Sequence, residues 1–134
     1  MTKRAAAVAS GLLLTFGGLS GAATAADADT RGDVGAQACY DVINSYIKPA
    51  GQSYYPYGGP DLGTTSRCND INILPNTSGY IAVCFKPSSG PQYCNGYRWA
   101  PAGQWTVVAT DVRDGTRFYF AFASSARSTG GWAA

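Results

Sequence analysis

Apolar and polar positions alternate most clearly near the C-terminal end of the chain. From Trp105 to Ala123, two runs rich in β-branched and aromatic residues flank Asp114-Gly115. That dipeptide suits a two-residue hairpin turn. Pairing outward from it sets Asp111 opposite Phe118, Ala109 opposite Phe120 and Val107 opposite Phe122. Side chains alternate across a strand, so these residues and Trp105 share one face, expected to be core. Thr106, Val108, Thr110, Arg117, Tyr119 and Ala121 share the other.

The same pattern predicts strands over Tyr80 to Lys86 and Gln92 to Trp99, with the turn formers Pro87-Ser88-Ser89-Gly90-Pro91 between them. Thr64 to Leu74 reads as a strand with Ile71 and Ile73 on one face. Pro75 to Gly79 reads as a turn, which also accounts for the formal glycosylation sequon Asn76-Thr77-Ser78. Gln52 to Gly63 is an aromatic loop dense in Pro and Gly. Val34 to Ile47 is ambiguous. Its apolar residues recur every four positions and Asp33 can cap a helix, whereas Cys39 to Ile47 is β-branched and aromatic, which favours a strand. The tail from Ser124 is small and polar apart from Trp132. Short strands broken by turns every 8–12 residues predict an all-β fold, a small antiparallel β-sandwich or barrel.

The N-terminal pattern differs. Lys3 and Arg4 precede an apolar run from Ala5 to Phe16, followed by small residues. This is the layout of a secretory signal peptide over residues 1–28, with cleavage after Ala25 or Ala28. The run falls short of the roughly 20 residues a spanning helix needs. Residues 29–134 are then a single secreted β-domain. Arg31-Gly32-Asp33 matches an adhesion tripeptide and reads as coincidence.

Export changes the meaning of the cysteines. Four of them, Cys39, Cys68, Cys84 and Cys94, lie in the mature region. An even number in a small exported domain implies two disulfides. Folding the predicted hairpin about Ser89 sets Cys84 directly opposite Cys94, within bridging distance. Cys39–Cys68 follows by elimination.

Composition narrows the chemistry. The chain has no His, and all 8 of its acidic residues are Asp. That excludes His-based acid–base catalysis and His metal ligation. The net charge of +2 falls to about +1 once residues 1–28 are removed. Nucleic-acid binding normally shows as a strongly basic face, so none is expected, and no membrane partner either. No Gly-rich phosphate loop precedes a helix. Asp111 with Asp114, or Asp70 with Asn72, is too sparse in oxygen ligands for calcium. No metal and no cofactor is expected, and no enzyme activity.

Aromatic surface remains. The 106 mature residues hold 16 aromatics. Tyr54, Tyr55 and Tyr57 lie in the Pro/Gly loop, and Tyr97-Arg98-Trp99 near a strand end. Tyr, Trp and Arg supply binding hot spots at low entropic cost. The expected role is a monomeric, non-catalytic binding protein whose partner is an extracellular polysaccharide or a secreted protein.

Two resemblances accompany this reading. Arg67-Cys68-Asn69-Asp70-Ile71, Val83-Cys84-Phe85, Gly103 to Val108 and Asp114-Gly115-Thr116 resemble segments of small secreted soil-bacterial proteins without assigned activity. That resemblance covers roughly residues 54 to 134 and implies an exported β-domain. Ala100 to Thr106 resembles the Pro-Gly-Gln segment of α-amylase inhibitors of the tendamistat type, which are β-sandwiches with two disulfides and a Trp-Arg-Tyr binding triplet. It implies inhibition of a secreted hydrolase through Tyr97, Arg98 and Trp99. The triplet runs in reverse order here, and the Cys84–Cys94 pairing differs from theirs.

Overall fold

The computed structural model describes residues 38–134. The expected signal peptide, the Arg-Gly-Asp tripeptide and the expected Asp33 cap lie outside the described residues. Among the described residues, ten strands form two antiparallel sheets. The first sheet has the order β1 (Asn44–Lys48), β10 (Ser128–Ala133), β4 (Ile71–Pro75) and β8 (Thr106–Ala109). The second is centred on β9 (Arg117–Phe122) and β5 (Gly79–Phe85). β2 (Tyr54–Tyr55) and β3 (Leu62–Gly63) follow one another along the free side of β9. β6 (Tyr93–Cys94) and β7 (Arg98–Ala100) do the same along β5.

The sheets pack as a sandwich around one apolar core. Tyr46, Ile71, Ile73, Val108 and Trp132 come from the first sheet, and Ile81, Val83, Phe85, Phe118, Phe120 and Phe122 from the second. Burying a side chain of this kind contributes roughly 1.5–3 kcal/mol. Phe118 meets Phe120 edge-on at 5.4 Å and Trp132 edge-on at 5.8 Å. The Trp132 indole N–H is buried with no hydrogen-bond partner among the described residues, a cost of about 1–3 kcal/mol set against that ring packing.

Both disulfides form as the sequence predicts, Cys39–Cys68 and Cys84–Cys94. Cys84 lies directly opposite Cys94 in the β5–β6 register. The predicted strand from Gln92 to Trp99, however, is broken. Gly96 takes φ +92. The Asn95 side chain accepts from the Val83 N–H at 3.0 Å and donates to the Val108 carbonyl at 2.6 Å, tying β5 to β8 of the other sheet.

The predicted hairpin across Asp114-Gly115 does not form. β8 pairs with β4 in the first sheet, and β9 with β5, β2 and β3 in the second. A type I′ hairpin turn needs φ > 0 at both central residues. Here Gly115 has φ +78, but Asp114 is not among the positive-φ residues. The Thr116 N–H bonds to the Arg113 carbonyl at 3.3 Å, and the turn is held by the buried Thr64, whose hydroxyl donates to Arg113 O at 2.6 Å. The segment is thus a crossover between sheets. The inward face of β9 is the one expected, whereas in β8 Val108 is buried and Val107 is 37% exposed.

Three further expectations shift. Thr64 to Leu74 yields a strand only from Ile71. In the ambiguous N-terminal segment, residues 38–40 are helical and the strand is confined to Asn44–Lys48. The polar tail supplies β10, a central strand. Gly130 explains why: a Cβ there would stand 2.2 Å from the Leu74 carbonyl oxygen and 2.8 Å from the Tyr46 ring. The close approach of β4 admits only glycine.

Lys48 is 1% exposed. Its ammonium donates to the carbonyls of Gln52 at 2.6 Å, Ser124 at 3.3 Å and Ala126, which ties the β1–β2 and β9–β10 loops together. Burial pushes its pKa below the ordinary lysine value. Burial also raises the Tyr46 phenol, partly countered by its hydrogen bond to Ser128.

Candidate functional site

The tyrosines of the aromatic loop do not act together, because β2 alternates. Tyr54 pairs with Ala121 and faces outward, 50% exposed. Tyr55 turns inward. It packs on the core, lies 5.5 Å from the Tyr46 ring and donates to the Ser45 carbonyl. Tyr57 follows the cis Tyr55–Pro56 bond and is 63% exposed.

Between β2 and β3 the chain bows away from β9, leaving a cleft of about 260 Å³ beside Tyr119. Tyr54 and Tyr57 line it with Asp61, Lys86, Gln92 and Tyr119. Tyr54 meets Tyr119 edge-on at 5.6 Å. Lys86 Nζ donates to Asp61 at 2.6 Å and lies 5.3 Å from the Tyr119 ring centroid. Arg117 approaches the second Asp61 oxygen at 3.7 Å. The Tyr119 hydroxyl points to Gln92 Oε1 at 3.4 Å. The cleft therefore combines aromatic faces with a carboxylate, an ammonium, an amide and a phenol. This set can stack against an apolar ring face while exchanging hydrogen bonds with hydroxyl groups.

Asp61, Lys86, Gln92 and Tyr119 were not singled out from the sequence. Tyr119 was legible as an outward residue of its strand. Asp61 and Lys86 stand 25 residues apart and meet only because β3 and β5 flank the same end of β9.

Tyr97, Arg98 and Trp99 lie at the other edge of the second sheet. Trp99 pairs with Tyr80, their rings 5.1 Å apart and edge-on. Both are about half exposed, as is Tyr97. Arg98 pairs with Ile81, so the pleat sends it to the opposite side from Trp99. The triplet is exposed but does not present one face. Two of the candidate calcium residues take part in hydrogen bonds within the fold. Asp70 accepts the Asp111 N–H at 3.1 Å, and Asn72 is bonded to Tyr40 and to the Asp70 and Ala133 carbonyls.

Comparison with protein-family models, curated proteins and solved structures finds no match to this chain. Among the described residues, no helix is long and apolar enough to cross a membrane. The two disulfides are consistent with an extracellular setting.

Proposed function

We propose that the chain is exported, loses residues 1–28 and acts outside the cell as a non-catalytic binding protein for a neutral polysaccharide. The observation that carries this reading is the cleft in which Tyr54, Tyr57 and Tyr119 surround Asp61, Lys86 and Gln92. Aromatic faces stack on sugar rings, and the polar groups exchange hydrogen bonds with hydroxyls. Glycoside hydrolysis uses two carboxyls about 5–9.5 Å apart. Asp61 is the one carboxylate in this lining, and two cations hold it.

The test is retention of the mature protein on insoluble cellulose, chitin and xylan, and on cell-wall material. Retention is expected on at least one, weakened about tenfold or more by Tyr57→Ala or Tyr119→Ala, the loss typical of a hot-spot aromatic. Passage through the whole panel unretained defeats the reading.

A second reading, inhibition of a secreted hydrolase, draws on the exposure of Tyr97, Arg98 and Trp99 at a sheet edge. It expects stoichiometric inhibition of an α-amylase or protease that Arg98→Ala abolishes.

A further inference from the structure

The two aromatic groups belong to one surface. Tyr54 lies opposite Ala121, Ala121 opposite Ala82, and the next row pairs Tyr80 with Trp99. Directly opposed residues in antiparallel strands face the same side, so these side chains share the outer face of the second sheet. Continuing the β5–β7 register by one residue brings Tyr97 alongside Ala82. The row from Tyr54 to Tyr97 crosses three strand spacings, about 14 Å. Its middle holds only the methyl groups of Ala82 and Ala121, sheltered at 2% and 4% exposure. Among the described residues, the rows named here carry no charged side chain. Asp61 sits at the cleft end between Lys86 and Arg117, and Arg127 lines a hollow that Tyr80 also borders.

We propose that this strip is a second binding region continuous with the cleft, and that the ligand is a linear, uncharged polysaccharide lying across the strands from Tyr54 and Tyr57 to Trp99 and Tyr80. The inference rests on the polysaccharide reading and adds the path of the bound chain: it runs across the strands, so that more than two sugar rings are engaged at once. The span exceeds one sugar ring, and both ends carry exposed aromatic rings, with the two small alanines between them covered by their neighbours. An uncharged polymer suits rows that carry no charged side chain.

The experiment is titration of the mature protein with cello-, xylo- and chito-oligosaccharides from the disaccharide to the octasaccharide. It is read by calorimetry and by tryptophan fluorescence. Affinity is expected to rise with chain length and then level off. Trp99→Ala should weaken the octasaccharide about tenfold and leave the disaccharide unchanged, whereas Tyr57→Ala weakens both. The fluorescence change should appear only with the longer chains and vanish in Trp99→Phe, which should keep most of the affinity. Equal affinity for short and long chains, or an octasaccharide indifferent to Trp99→Ala, overturns the extended strip while leaving the cleft intact. Silence of the wild-type protein towards every sugar overturns both. Should Trp99→Ala abolish inhibition of a hydrolase with sugar binding unchanged, that edge is a protein contact and the inference falls.

Discussion

Replacing Gly130 by alanine adds one methyl group at the centre of the first sheet. Gly130 lies in β10 between Tyr46 of β1 and Pro75 of β4. The new Cβ would stand 2.2 Å from Leu74 O and 2.9 Å from Pro75 Cα, against ordinary contacts of 3.4 Å or more. The deficit of about 1.2 Å falls on backbone that belongs to the sheet ladder, so it cannot be relieved by a rotamer change. Overpacking costs typically 1–3 kcal/mol and occasionally more. With backbone on the receiving side, a loss of at least about 3 kcal/mol is expected. At roughly 4–8 °C per kcal/mol for a domain of this size, the melting temperature should fall by more than about 12 °C. Two controls bracket it. Gly131→Ala meets only Ile43 Cγ2 at 3.0 Å and Asn44 O at 3.4 Å, and the Ile43 side chain is 54% exposed and can give way. It should stay within about 0.5 kcal/mol of wild type. Gly79→Ala meets nothing within 4 Å and should gain about 0.4–1 kcal/mol by restricting the unfolded chain. Urea unfolding with disulfides intact, followed by tryptophan fluorescence, measures all three. A Gly130→Ala protein as stable as Gly131→Ala would refute the close approach of β4 to β10.

Removing Cys39–Cys68, which spans 29 residues, should cost more than removing Cys84–Cys94, which spans 10; the chain-entropy relation gives roughly 3.6 against 2.7 kcal/mol, to be compared by urea unfolding of the paired Cys→Ala variants. Lys48→Met strands three carbonyls and should destabilise by about 3 kcal/mol or more, seen as an earlier urea midpoint. Tyr46 keeps its proton in the folded state to a higher pH than in the unfolded chain. Above its ordinary value near 10, the unfolded state therefore binds fewer protons and stability falls as pH rises. Lys48, with its value lowered, has the opposite sign: below its ordinary 10.5 the unfolded chain binds the extra proton and stability rises with pH. Subtracting the pH–stability curve of Tyr46→Phe from that of wild type cancels Lys48, and the difference should decline only above about pH 10.

Strand patterning carried much of the fold. The inward phase of β9, the β5–β6 register and Cys84–Cys94 follow from alternation and turn chemistry that are local, and Cys39–Cys68 then follows by elimination. The β8–β9 connection did not, because Asp114-Gly115 supports either a hairpin or a crossover, and Thr64, far away in sequence, decides between them. β10 was invisible for a related reason: glycine has low strand propensity, and the demand for Gly130 comes from β4. Tyr54 and Tyr57 were legible as aromatic excess. The polar residues were not, since Asp61 and Lys86 meet through pairing on β9 and Gln92 joins them through the β5–β6 pairing. The inward turn of Tyr55 was available from period-two alternation once Tyr54 is set outward.

The edges of the second sheet are built in pieces. β2, β3 and β6 are two residues long and β7 is three. A long open edge is a template on which another chain can add itself as an extra strand. Here no stretch of either margin offers a stray strand more than three residues of ladder before a loop, a glycine or the Asn95 side chain interrupts it. The aromatic face can thus sit beside the sheet's margins without inviting the edge-to-edge strand addition from which fibrils grow.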